Sequence, residues 1–289
     1  MRDIDVNLYN HARLCEQFGA FVENAAADAP IPGRVERELL GDSYGRILKE
    51  TARIVSHQWR EHISHSSVKG FLFHGGVGIG KTTMAKRLTY ELCRVFGSDG
   101  SDDTENDVVL VVVDGSDIAR GRYGDSEERL AELFEYARDG EAHGHSHGYA
   151  HGHRHEGDAM RRTVLLFDDV ESLFMARSAG MAKEWHFSQN SVFFHNLDEL
   201  DTSHTAIVLT TNRFDLLDEA LVDRLLAYEF PTPSTDVLLE VARACGRVHR
   251  LTETELAPIL TRIGDAGTVR SIREVERMVT RAYIGQVLR

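Results

Sequence analysis

The run Gly75-Gly76-Val77-Gly78-Ile79-Gly80-Lys81-Thr82, with Thr83 behind it, has the full spacing G-x-x-x-x-G-K-[ST]. Residue types in that order suit one task. Glycines let backbone N–H groups turn toward phosphate oxygens, Lys81 supplies a cation for the β- and γ-phosphates, and the Thr82 hydroxyl is a ligand for Mg2+. A second candidate is Thr163–Glu171, an apolar stretch that ends in two adjacent carboxylates. Asp168 is placed to hold magnesium through water, and Asp169 to orient or deprotonate an attacking water. The third is a low-complexity segment, residues 141–158, that carries His143, His145, His147, His151, His153 and His155. Six imidazoles spaced by glycine and other small residues form a multidentate set for Zn2+, Ni2+ or Cu2+. A polar loop without a role is the main alternative, and a pH-sensing loop or a partner contact also fits that composition.

Those residues need a scaffold. Short apolar runs at Phe71–Phe73, Val108–Val113, Val164–Phe167, Ile207–Leu209 and Ala227–Phe230 have the Val/Leu/Ile/Phe density of strands covered on both faces. Helical patterns lie between most of them, which predicts a five-stranded parallel sheet flanked by helices. The phosphate-binding loop then falls between a strand and a helix, where the helix N-terminus adds a favourable dipole. From Ser234 onward the pattern is helical only; Ser234 and Thr252 read as N-caps, the latter completed by Glu255 as a capping box. The expected organisation is a helical extension over residues 1–33, a large α/β unit over 34–232 and a small helical lid over 233–289. In the extension, Val6, Tyr9, Leu14, Phe18 and Phe21 suggest an amphipathic helix, broken by Pro30, Pro32 and Gly33.

The composition narrows the function classes. Hydrophobic residues make up 42% and charged residues 27%, ordinary for a globular chain, and no apolar run has the 18 or so residues of a membrane helix. The N-terminus lacks the basic-then-apolar order of a signal peptide, and Cys15, Cys93 and Cys245 are odd in number and far apart. Both observations fit a cytoplasmic protein without disulfides. A net charge of −13 argues against a broad nucleic-acid surface.

Further segments give a specific resemblance. Asp114–Ala137 is similar to the strand-two loop and following helix of AAA+ ATPases, with Gly124-Asp-Ser-Glu127 in place of that family's Gly-Glu-Ser-Glu. Ala206–Asn212 resembles the sensor-1 strand, Leu217–Arg224 the arginine-finger segment, and Thr268–Arg273 the sensor-2 segment of the lid. The motifs stand in the family's order from about residue 35 to the C-terminus. Asp168–Leu173 and Ala220–Arg224 look most like the members that remodel HORMA-domain proteins.

The resemblance implies a P-loop AAA+ fold, hydrolysis of ATP with Mg2+, and a homo-oligomeric ring, expected to be a hexamer. It also implies roles. Asn212 would align the water beside Asp169, Arg224 would reach the γ-phosphate of a neighbouring subunit, and Arg270 would close the lid over the phosphates. Arg122, Tyr123 and Gly124 would line a central pore that grips a protein substrate. Three departures stand out. Asp169 occupies a position that is usually glutamate, Arg224 follows Asp223 rather than a second arginine, and the pore aromatic is shifted by one place. The expected activity is remodelling or disassembly of a protein partner, chosen directly or through an adaptor. Two other readings fit the same residues. One is a metal-responsive ATPase in metallocofactor maturation that uses the histidine loop; the other is a DNA-associated loader, against which the acidic balance weighs. With Asp169 in place of glutamate, a nucleotide switch that does not hydrolyse also fits.

Overall fold

The structure is a computed structural model that describes residues 7–9, 11–14, 32–66, 68–96, 108–114, 118, 125–139, 161–174, 184–265 and 268–288. Five parallel strands form its centre: β2 (Gly70–Gly75), β3 (Val108–Asp114), β4 (Arg162–Asp168), β5 (Thr205–Thr211) and β6 (Leu226–Phe230). Short β1 (Asn7–Tyr9) adds to β3, and the sheet order is β1-β3-β4-β5-β2-β6. Every pairing is parallel except that of β1, whose Leu8 lies opposite Val111 in antiparallel register.

Strand alternation sorts the apolar residues into two cores, one on each face. On one face Val109, Val111, Val113, Leu165, Phe167, Ile207 and Leu209 pack under α4 (Asp125–Asp139) and α5 (Glu184–Asp198). On the other, Phe71, Phe73, Val108, Leu110, Val164, Leu166 and Val208 pack under α2 (Pro32–Arg60) and α3 (Lys81–Phe96). Runs of consecutive buried residues such as Thr163–Phe167 follow directly, because neither face meets water.

After a brief helical turn α6 (Glu219–Val222) and β6, three helices finish the chain: α7 (Thr235–Val248), α8 (Glu253–Gly264) and α9 (Ile272–Val287). They close around their own core of Leu238, Val241, Ile259, Ile263, Val275 and Val279. Ser234 caps α7 by accepting from the Val237 N–H, and Thr252 and Glu255 form the capping box of α8. Among the described residues no helix is long and apolar enough to cross a membrane.

Within residues 1–33, the described residues include a strand that the expected helical extension lacked. Asn7–Tyr9 is a strand of the sheet, His11–Leu14 is a short helix α1, and Leu14 is fully buried in the core beside α3. The sheet therefore has a sixth, antiparallel strand beyond the five parallel ones. The proline–glycine break is also placed differently. Helix α2 begins at Pro32 and contains Gly33, because proline's missing N–H costs nothing in a first turn whose N–H groups have no helical partner. Phe18, Phe21 and Cys15, the acidic run 98–107, the pore triplet Arg122–Gly124 and the histidine segment 141–158 lie outside the described residues.

Candidate active site

Parallel strands bring all their carboxyl ends to one edge. Because β2 pairs with β5, and β5 with β4, the segments that follow these strands emerge side by side: Gly76–Gly80, Asn212 and Asp169. Ligands bind at that edge in open parallel sheets.

The loop after β2 takes backbone angles that only glycine adopts without strain, with φ of +139° at Gly75, +71° at Gly78 and +98° at Gly80. Lys81 is 5% exposed and its Nζ donates to the Gly75 carbonyl at 3.0 Å, the Gly76 carbonyl at 2.7 Å and Asn212 Oδ1 at 2.7 Å. Burial pulls the Lys81 pKa down, opposed by Asp169, Glu171 and Asp168. The ammonium thus sits where phosphates would take over its contacts.

Thr82 Oγ1 donates to Asp168 Oδ1 at 2.8 Å, and Thr210 donates to the same oxygen. A hydroxyl and a carboxylate held this close are a fitting donor pair for Mg2+, which keeps several waters and takes few protein ligands. Asp169 departs from ordinary backbone geometry, in the left-handed region at φ 52°, ψ 55°. Such outliers in non-glycine residues concentrate at functional sites. Its carboxylate accepts from Asn212 Nδ2 at 2.7 Å. Burial, then Asp168 and Glu171, push the Asp169 pKa up, against the pull of Lys81 and of the Asn212 hydrogen bond. A carboxylate raised this way is a better proton acceptor near neutral pH.

Several residues that motif spacing did not single out complete the site. Glu171 accepts from Thr211 Oγ1 at 3.0 Å and adds a third carboxylate around Lys81. Tyr44, buried on α2, donates toward two carbonyls at once, Ile79 at 3.1 Å in the phosphate-binding loop and Pro231 at 2.9 Å in the segment leading to the lid. Burial raises its pKa to about 12, so it stays a donor. His74 stacks on Phe214 with ring centroids 4.2 Å apart, and burial lowers its pKa, as suits a packing residue.

The lid meets the loop through the start of α9. Arg273 donates its backbone N–H to the Gly78 carbonyl at 3.1 Å, and a Cβ on Gly78 would lie 2.8 Å from the Arg273 Cβ. Arg270, the sequence-expected lid arginine, precedes this helix, is exposed, and donates its backbone N–H to Glu274 at 3.4 Å. The resemblance singled out Arg270; the backbone of Arg273, three residues on, also meets the loop, at Gly78.

Arg224 stands apart from all of this. β6 runs parallel to β2 with Leu226 opposite Phe71 and Phe230 opposite Gly75, so Arg224 lies beyond the amino end of the strand. The five residues of β6, a rise of about 13 Å, and the loop itself separate it from its own phosphate site. Its Nε and Nη2 donate to the two oxygens of Asp198 at 3.0 and 3.1 Å, and its Nη1 donates to the Ala220 carbonyl at 2.9 Å. The Asp198 hydrogen bonds hold its pKa up. Among the described residues no three His, Cys, Asp or Glu are grouped to hold a metal, and the six histidines and the pore triplet lie outside those residues.

Comparison with known proteins fits this geometry. A family model described as ATPase family associated with various cellular activities (AAA) matches residues 71–231. An "AAA ATPase forming ring-shaped complexes" of Corynebacterium glutamicum is 27% identical over 155 residues, 53% of this chain and 25% of that protein. A "Proteasome-associated ATPase" of Jonesia denitrificans is 27% identical over 168 residues, 57% of this chain and 27% of that protein. The "26S proteasome regulatory subunit 8 homolog" of Schizosaccharomyces pombe is 25% identical over 193 residues, 64% of this chain and 39% of that protein. The chain thus spans between a quarter and two-fifths of the length of these relatives. A chain of the E. coli MS115-1 HORMA:CdnC:Trip13 complex shares the fold, with a TM-score of 0.57 at 14% identity, over 96% of this chain and 95% of that one. With over half of its residues matched by the family model, and the glycine loop, paired aspartates and strand-end asparagine converging at one sheet edge, the chain belongs to the AAA family of ATPases.

Proposed function

We propose that this chain hydrolyses ATP with Mg2+ in a homo-oligomeric ring, taken to be a hexamer, and uses the energy to remodel or disassemble a protein partner. One observation carries the oligomeric part: Arg224 sits at the opposite end of the sheet from the phosphate loop of its own chain. An arginine so placed serves a nucleotide bound by a neighbour. Lys81 grips the β- and γ-phosphates, releasing the carbonyls of Gly75 and Gly76 to do so. Asn212 and Asp169 align a water against the γ-phosphorus, and Asp169 accepts its proton. Thr82 and Asp168 would hold Mg2+, which would supply charge neutralisation for the phosphates. Arg224 of the adjacent subunit neutralises the charge that develops on the transferred group, and Arg270, beside Arg273 on the lid, closes the site.

The partner class we favour is a HORMA-domain protein, on the resemblance of Asp168–Leu173 and Ala220–Arg224 to remodellers of such proteins. The structural likeness to a chain of the HORMA:CdnC:Trip13 complex speaks for the fold alone. The test is a pull-down with Asp169→Asn in Mg2+ and ATP, beside steady-state hydrolysis by the unaltered chain. A partner retained on the ATP-bound variant and released on nucleotide removal is the expected result. Absence of Mg2+-dependent hydrolysis by the assembled, unaltered protein would sink the proposal.

A further inference from the structure

The arginine that must act on a neighbour's phosphate is itself held in a frame. A free arginine side chain has many rotamers, and ordering it at the moment of reaction costs rate. Here three constraints act together. Asp198, the last residue of α5, takes the Nε–H and one Nη2–H in a planar fork. The Ala220 carbonyl takes one Nη1–H. Phe194, one turn before Asp198 on the same helix, lies under the guanidinium with 4.9 Å from Cζ to the ring centroid.

A guanidinium has five N–H donors. Three are used within the chain, so one N–H remains on each of Nη1 and Nη2. The Arg224 side chain is 33% exposed. Two parallel N–H groups on one edge match two oxygens of a phosphoryl group. Asp198 occupies the Nε side of the fork and leaves the phosphate-facing edge clear. The geometry is therefore that of a holder rather than a competitor.

We infer that Asp198, with Phe194, is the positioning residue for Arg224, fixing the guanidinium so that its two distal N–H groups face the neighbouring subunit's nucleotide. This rests on the proposed action of Arg224 in trans, and it adds a residue whose effect on hydrolysis passes entirely through Arg224. Lysine could not take the place of Arg224, because an ammonium cannot bond Asp198, Ala220 and a phosphate in one plane.

The test uses the full chain with Asp198→Ala, Asp198→Asn, Arg224→Ala and the Asp198→Ala/Arg224→Ala double variant. Each is measured for turnover at saturating ATP, for ATP affinity and for assembly by light scattering. Asp198→Ala is expected to lower turnover by about 10- to 100-fold with ATP affinity and assembly unchanged. The double variant should be no slower than Arg224→Ala alone. Mixing Asp198→Ala with Lys81→Ala subunits should restore activity, since the latter bring an intact arginine and its holder. Mixing Asp198→Ala with Arg224→Ala should not. Turnover of Asp198→Ala within twofold of the unaltered protein, or above it, overturns the inference; a rise would make Asp198 a restraint. A further loss in the double variant also overturns it, because Asp198 would then act by another route. Should Asp198→Ala fail to assemble, Asp198→Asn carries the test: it keeps the side-chain size and one acceptor, an intermediate turnover is expected, and an unchanged one overturns the inference. Full activity in Arg224→Ala would refute the trans role itself, whatever Asp198 does.

Discussion

Asn212 accepts from Lys81 with its amide oxygen and donates to Asp169 with its amide nitrogen, so one side chain links the cation proposed to bind phosphate to the carboxylate proposed to activate water. This separates binding from chemistry. Lys81→Ala should lose ATP binding, measured with a fluorescent analogue, because it removes ground-state phosphate contacts. Asp169→Asn should bind ATP normally yet hydrolyse it at least about 10²-fold more slowly, since the asparagine can keep the Asn212 bond but cannot take a proton. Asp169→Glu should keep or raise turnover; total loss would show that the left-handed backbone at 169 is fitted to the shorter side chain. The pH dependence has a defined sign. Burial, Asp168 and Glu171 raise the Asp169 pKa, and Asp169 must be ionised to act, so kcat/KM should fall with decreasing pH through a value above the usual carboxylate range. Glu171→Gln removes one like charge and should move that limb to lower pH. A limb that stays in place would assign it to another group.

At the scale of elements, Tyr44 joins three parts of the chain: helix α2, the phosphate-binding loop through Ile79, and the segment leading into the lid through Pro231. Tyr44→Phe keeps the ring against Phe230 but strips both carbonyls of their donor. It should lower unfolding stability by about 1–3 kcal/mol and weaken ATP binding; a thermal midpoint and affinity equal to those of the unaltered chain would show that water replaces the hydroxyl. This strut was not visible in the sequence, and the reason is physical. Periodicity reports which face of an element is buried, so the five parallel strands could be placed from their apolar runs, and the caps at Ser234 and Thr252 from local hydrogen-bonding chemistry. The convergence of Lys81, Asp168, Asp169 and Asn212 likewise follows from motif order on a parallel sheet. Tyr44 and Pro231 are 187 residues apart, and nothing local marks such a pair. The approach of Arg273 to Gly78 was likewise not legible, because it depends on where α9 begins. Strand β1 escaped notice because three residues carry too short a pattern, and their pairing energy lies in β3, a hundred residues on.

For the whole molecule, the proposed supply of the last cation by another copy would make activity a property of the assembly. Arg224→Ala should bind ATP but lose about 10³-fold or more in rate, and a mixture with Lys81→Ala should recover part of it at interfaces where each copy supplies what the other lacks. Mixed assemblies that form and stay inactive would rule out a role in trans. Specific activity should also rise with protein concentration until assembly is complete. The amino-terminal strand bears on a different collective property. β3 reads Val-Val-Leu-Val-Val-Val-Asp, and among the described residues its outer hydrogen-bonding edge is occupied by Asn7–Tyr9, through Leu8 opposite Val111 and its two neighbours. Removing residues 1–10 would uncover a valine-rich edge with unpaired N–H and C=O groups, the kind of surface on which strands of other molecules add. Such a truncation should leave the catalytic residues intact and still yield thioflavin-positive aggregate, so that these three residues act as a guard on solubility.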